Sequence, residues 1–66
     1  MVVMANNRLK AARVLKGLTQ LKLAQLVGSK EIEISRIETG RCVPDRSMKE
    51  RIAAVLGRPP FELFDC

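Results

Sequence analysis

The sequence predicts an all-α fold, a compact bundle of five short helices. Three observations carry that expectation. Apolar residues recur at i, i+3, i+4 and i+7 spacings, which place them on single helix faces. Glycines follow those runs at Gly17, Gly28, Gly40 and Gly57, where helices can stop. Good N-cap residues stand ahead of them, Asn6 or Asn7, Thr19 and Asp45. Phe61 and Phe64 are the only aromatic residues among the 66, so the core has to be aliphatic. A chain of this length makes one small domain with little stability to spare.

Met1 to Ala5 reads as an N-terminal tail, and residues 6–66 as one domain. The first helix is expected from Asn6 or Asn7 to about Lys16, with Leu9, Ala12 and Arg13 on one face. An arginine on that face needs a partner, because an unpaired buried charge costs several kcal/mol. Thr19 caps a second helix with Gln20 in its first turn and Leu23, Ala24 and Val27 on its buried side. Gly28 and Ser29 turn the chain into a third helix, started by Ser29 or Lys30. Here Ile34 and Ile37 face inward, while Glu31, Ile32, Ser35, Arg36 and Thr39 face away. After Pro44, Asp45 caps a fourth helix running to about Leu56. Its expected buried stripe is Met48, Ile52, Val55 and Leu56, with Arg46, Lys49, Glu50 and Arg51 outside. Pro59 and Pro60 pre-set a last short helix in which Leu63 and Phe64 close the core.

Charge is distributed unevenly. The net charge is +5, and every acidic residue lies at or after Glu31, while Arg8, Lys10, Arg13, Lys16, Lys22 and Lys30 precede it. A positive field at one end of the fold suits a polyanionic partner. No histidine is present, which removes the usual neutral-pH acid–base group and the commonest metal ligand. Cys42 and Cys66 are too few for a zinc site or a disulfide framework, so free thiols in a reducing cytoplasm are expected. No stretch approaches the ~20 apolar residues of a membrane span. Neither an enzyme, a metal, a cofactor nor a small-molecule ligand is expected.

The ordered set Leu18-Thr19-Gln20, Leu23-Ala24, Gly28, Ile34-Ser35-Arg36-Ile37-Glu38, Gly40 and Pro44 resembles the lambda-repressor-like, Xre/Cro-type helix-turn-helix transcription regulators. The match continues through Ile52-Ala53, Leu56-Gly57 and Leu63-Phe64, from about residue 7 to 64. The resemblance implies that the helix from about Lys30 to Thr39 is the recognition helix, with Glu31, Ile32 and Arg36 at base edges. It puts Gln20 on a position that clamps a phosphate and braces that helix, and Thr39 and Arg41 on a loop that grips the backbone. With Thr19, Lys22, Lys30 and Ser35, these make up the expected phosphate contacts. Arg13 and Glu38 match an ion pair that joins helix one to helix three in some members.

The residue types at those positions suit base reading. Arginine makes a bidentate pair with guanine O6 and N7, glutamate accepts from the cytosine N4 amine, and an isoleucine can meet a thymine methyl. Glu31 can equally interact with Arg36 or with its own helix N-terminus. The chain departs from the family pattern at Ser29 and Lys30, at Arg46, and at Val14, Leu15, Leu21 and Leu26, which stand where polar residues are usual. The expected function is a sequence-specific DNA-binding regulator, a repressor acting as a homodimer on a palindromic operator, with Phe61 as the dimer candidate. The alternative is a small protein-binding module of antirepressor or antitoxin type working through the apolar surface of the first two helices.

Overall fold

The computed structural model describes residues 7–64. The expected tail, an Asn6 cap and Cys66 lie outside the described residues. Five helices follow in order: α1 (Asn7–Leu15), α2 (Gln20–Val27), α3 (Glu31–Glu38), α4 (Arg46–Leu56) and α5 (Pro60–Leu63). The all-α expectation therefore holds, with helix ends within a residue or two of those read from the sequence. Helices this short are not stable alone in water, so their shared core must hold them.

That core is aliphatic. Leu9, Leu23, Ile34, Ile52, Leu56 and Leu63 are its largest fully enclosed side chains, joined by Ala12, Ala24, Val27, Ile37, Ala53 and Phe64. α2 lies most extensively against α3 and also meets α4, while α5 closes the bundle against α4 and α1. Two details of α4 differ from the expectation. The buried line runs through Ile52, Ala53 and Leu56, with Met48 and Val55 only half-buried at its margin. α4 meets both α2 and α5, and its buried Ala53 is a residue too small to mark a hydrophobic stripe in the sequence. Lys49 is not wholly on the outer side: its ammonium lies 5.8 Å from the Phe64 ring centroid. That distance places the cation over the ring face, where the ring quadrupole attracts it.

Local capping sets where α2 and α4 begin and end. Thr19 accepts from the Lys22 backbone N–H at 3.0 Å, and Asp45 accepts from that of Met48 at 2.8 Å. Gly28 ends α2 in the left-handed conformation, at φ +73° and ψ 34°. Its neighbour Ser29 donates its backbone N–H to the Ala24 carbonyl at 2.8 Å. This closure reverses the chain in little more than one residue and delivers α3 across α2. A Cβ at Gly28 would meet nothing within 4 Å, so its backbone conformation alone demands glycine.

The polar exception in the core joins three helices. Arg13 Nε donates to Glu38 Oε2 at 2.6 Å and its Nη2 to Oε1 at 3.3 Å. Arg13 Nη1 donates to the Leu18 carbonyl at 2.7 Å, and Gln20 Nε2 donates to Glu38 Oε1 at 3.0 Å. Both charged side chains are more than nine-tenths enclosed, at 9% and 3% exposure. No buried side-chain nitrogen or oxygen among the described residues lacks a partner.

Two stability predictions follow from this geometry. Glu38→Ala strands a buried guanidinium and should cost about 3–5 kcal/mol, a large share of what a small domain has. The double variant Arg13→Met, Glu38→Leu should recover much of that loss in thermal unfolding; a double variant as unstable as Glu38→Ala would refute the stranded-charge account. Gly28→Ala should cost about 1–2 kcal/mol through backbone strain alone, read as a lower midpoint in urea at unchanged slope.

Candidate nucleic-acid interface

α3 presents two chemically different sides. Ile34, Ile37 and Glu38 are buried, whereas Glu31, Ile32, Glu33 and Arg36 are exposed and Ser35 is half-buried. At 100° per residue, Ile32 and Arg36 stand opposite the buried line. Ile32 is 56% exposed although it sits in a helix whose other isoleucines are enclosed. The guanidinium of Arg36 takes no side-chain partner among the described residues, and neither does the carboxylate of Glu31. The alternative in which Glu31 pairs with Arg36 is therefore not formed, whereas Glu31 does stand at the helix N-terminus.

The start of α3 resolves the choice between Ser29 and Lys30. Lys30 occupies the N-cap position with extended backbone, and its side chain makes no capping bond. The Lys30 carbonyl accepts the first helical bonds, from Glu33 at 3.0 Å and Ile34 at 3.2 Å. Ser29, one residue before, instead donates its hydroxyl to Glu33 Oε2 at 2.7 Å. A lysine cannot accept an N–H, so the helix start is secured from one position further back. Sequence reasoning passed over Glu33, for which a serine four residues earlier was the available signal. Glu31 and Glu33 also put negative charge at the positive end of the helix dipole.

The expected phosphate-contacting residues fall on α2, α3 and the segment after α3, with differing freedom. Lys22, Lys30 and Arg41 are exposed and carry no ion-pair partner among the described residues. Thr19 uses its hydroxyl oxygen as an acceptor for the Lys22 N–H, which leaves the hydroxyl hydrogen available. Gln20 is half-buried and gives one amide hydrogen to Glu38, keeping the other. Thr39 is exposed, as expected, and is also the C-cap of α3. Its hydroxyl reaches the carbonyls of Ser35 at 2.9 Å and Arg36 at 3.2 Å. A phosphate contact by the Thr39 hydroxyl would displace those bonds. The Arg36 carbonyl also accepts from the backbone N–H groups of Arg41 at 2.8 Å and Cys42 at 3.2 Å, which folds the following segment against the helix end.

Besides the buried Arg13–Glu38 pair, Arg46 pairs with Glu50 on α4 at 3.2 Å, and Arg58, in the turn before α5, pairs with Glu62 of α5 at 3.7 Å. The outer surface of α2 and α3 thus keeps its cations unpaired. The exposed apolar residues Val14, Leu15, Leu21 and Leu26 form no single stripe: helical spacing puts Leu21 and Leu26 on opposite flanks of the buried side of α2. Phe61 is 70% exposed and does not fold back on the core. Cys42 is a free, exposed thiol. No group of three or more metal-ligating side chains occurs among the described residues. No helix among them is long and apolar enough to cross a membrane.

Comparison with known proteins agrees with this geometry. A family profile described as a helix-turn-helix domain matches residues 7–63. No curated protein matches the chain. Among solved structures, the restriction-modification controller protein C.AhdI from Aeromonas hydrophila superimposes with a TM-score of 0.82 at 32% identity, over 89% of this chain and 86% of that one. The chain belongs to the helix-turn-helix family, of the lambda-repressor-like, Xre/Cro type, and is a DNA-binding transcription regulator.

Proposed function

We propose that the chain is a sequence-specific repressor that occupies a palindromic operator as a homodimer, with α3 in the major groove. One observation carries this reading: α3 turns an exposed isoleucine and a guanidinium without a partner away from the core, while Lys22, Lys30 and Arg41 around it are also unpaired. Those groups match the needs of a duplex. Lysine and arginine neutralise phosphates and hold the register, and the outward residues of one helix meet base edges. In this reading Arg36 pairs with a guanine, Ile32 packs on a thymine methyl, and Glu31 accepts from a base amine. Thr19, Gln20, Lys22, Lys30, Ser35, Thr39 and Arg41 hold the backbone. The first-turn N–H groups of α2, beside Thr19 and Gln20, add a favourable site for a phosphate.

The buried cluster contributes a mechanical role. Gln20 touches Glu38, so a phosphate held at the start of α2 is linked through two hydrogen-bonded side chains to the end of α3. The phosphate contact then orients the reading helix as well as adding affinity. A single reading helix covers about one half-site, so specificity calls for two copies. Phe61 is the apolar residue proposed to join them, because it is large, exposed and late in the chain. The operator is cytoplasmic DNA, and repression follows from its occupation, without a cofactor or catalytic step.

The expected DNA behaviour has three parts. Affinity should fall steeply with salt, with a log–log slope of about −0.9 per phosphate contact. Arg36→Ala should cost about 1–3 kcal/mol on the selected site and leave random DNA nearly unaffected. Arg41→Ala should weaken both and reduce the slope by roughly one contact. Titration of selected and random duplexes at two salt concentrations separates these outcomes, and equal losses on both DNAs for Arg36→Ala would remove it from the reading face. For the dimer, Phe61→Ser should shift sedimentation toward the monomer and weaken a palindrome far more than a half-site. If Phe61→Ser sediments as the parent does, the interface lies elsewhere.

A further inference from the structure

Glu33 is the exposed residue of the first turn of α3 that neither the family resemblance nor the DNA reading above employs. Its carboxylate is held in place: Ser29 donates a hydroxyl hydrogen to Oε2 at 2.7 Å. That bond uses one of about four acceptor directions on a carboxylate and leaves Oε1 open. Arg36 lies three residues further on, yet makes no ion pair with Glu33, so the carboxylate is not neutralised within the fold. A held, un-neutralised carboxylate at the leading end of a helix-turn-helix reading helix is costly beside phosphates unless a donor meets it. The N-terminal residues of that helix are the ones that reach base edges.

We propose that Glu33, positioned by Ser29, is a specificity-determining residue that selects a base presenting an amine donor in the major groove, cytosine foremost, at one operator position. The inference rests on the DNA-binding reading and deepens it. Cytosine N4 presents a donor in the major groove that a carboxylate accepts. Guanine O6 and N7 and thymine O4 are acceptors only, and face the carboxylate with repulsion. Selection therefore works largely by rejection: the wrong base leaves a desolvated negative charge opposite a lone pair. The Ser29 bond strengthens this rejection because it holds Glu33 in place and limits its swing back to solvent. Glu31, which has no such partner, is free to move aside.

The Ser29–Glu33 bond also steadies the start of α3, and a purely structural role would appear as lost stability without altered base choice. The test therefore reads base choice. Enriched sites are selected from random duplex DNA with the parent chain, with Glu33→Gln, Glu31→Gln and Ser29→Ala, and each selected position is then varied through all four bases. For the parent, one position should favour cytosine on the order of 10-fold over guanine or thymine. Glu33→Gln should flatten that position alone and should bind random DNA more tightly, having lost a negative charge. Ser29→Ala should flatten the same position to a smaller degree, and Glu31→Gln should leave it unchanged. Unchanged preferences in a folded Glu33→Gln protein overturn the inference and leave the regulator reading standing. A parent chain that selects no site overturns both. Lower unfolding midpoints with intact base preferences assign the Ser29–Glu33 bond to helix capping alone and overturn the proposal.

Discussion

The carboxylate of Glu38 is the point on which the arrangement of the first three helices depends. It accepts from Arg13 of α1 and Gln20 of α2 while belonging to the last turn of α3. Arg13 extends the connection to the Leu18 carbonyl in the turn before α2. An enclosed ion pair is a weak source of net stability, since desolvating both groups offsets most of their attraction. Its worth here is directional. Apolar contacts among Leu9, Leu23, Ile34 and Ile37 would tolerate small rotations of α3, whereas a bidentate guanidinium–carboxylate pair tolerates few. Orientation of α3 is what decides which of its side chains face outward, so the cluster fixes the geometry on which the proposed reading face rests.

The chain separates its charges by task. Arg46 pairs with Glu50 on α4, and Arg58 before α5 pairs with Glu62, exposed contacts that suit a solvated surface and contribute little to stability. On α2 and α3 the cations stand alone. The acids Glu31 and Glu33 gather at the positive end of the α3 dipole, where negative charge is tolerated. A surface that leaves its cations unpaired forgoes small local gains and keeps them available for phosphates.

Much of the fold was legible because it follows from local chemistry. Thr19 and Asp45 cap the helices they were expected to cap, and the buried faces of α2 and α3 contain the residues their spacing indicated. The misreadings arose where a partner distant in sequence decides the environment. Ala53 is buried on a helix that meets both α2 and α5, and Lys49 lies over the ring of Phe64, fifteen residues further on. Ser29 presented itself as a cap of α3, yet the backbone places Lys30 there and leaves Ser29 to hold the Glu33 side chain. One residue of register separates the two roles, and capping preferences differ too little to decide it.

By itself the sequence determined the helical class, the helix ends and the inward faces, since periodicity, capping residues and glycines act within a few positions of chain. It also placed the excess of positive charge in the first thirty residues, where no acid stands. Only the tertiary structure decided that Gln20 joins Arg13 on a single carboxylate and that Phe61 stays outside the core. Those outcomes depend on distances between side chains up to 25 residues apart, and helix packing alone sets such distances.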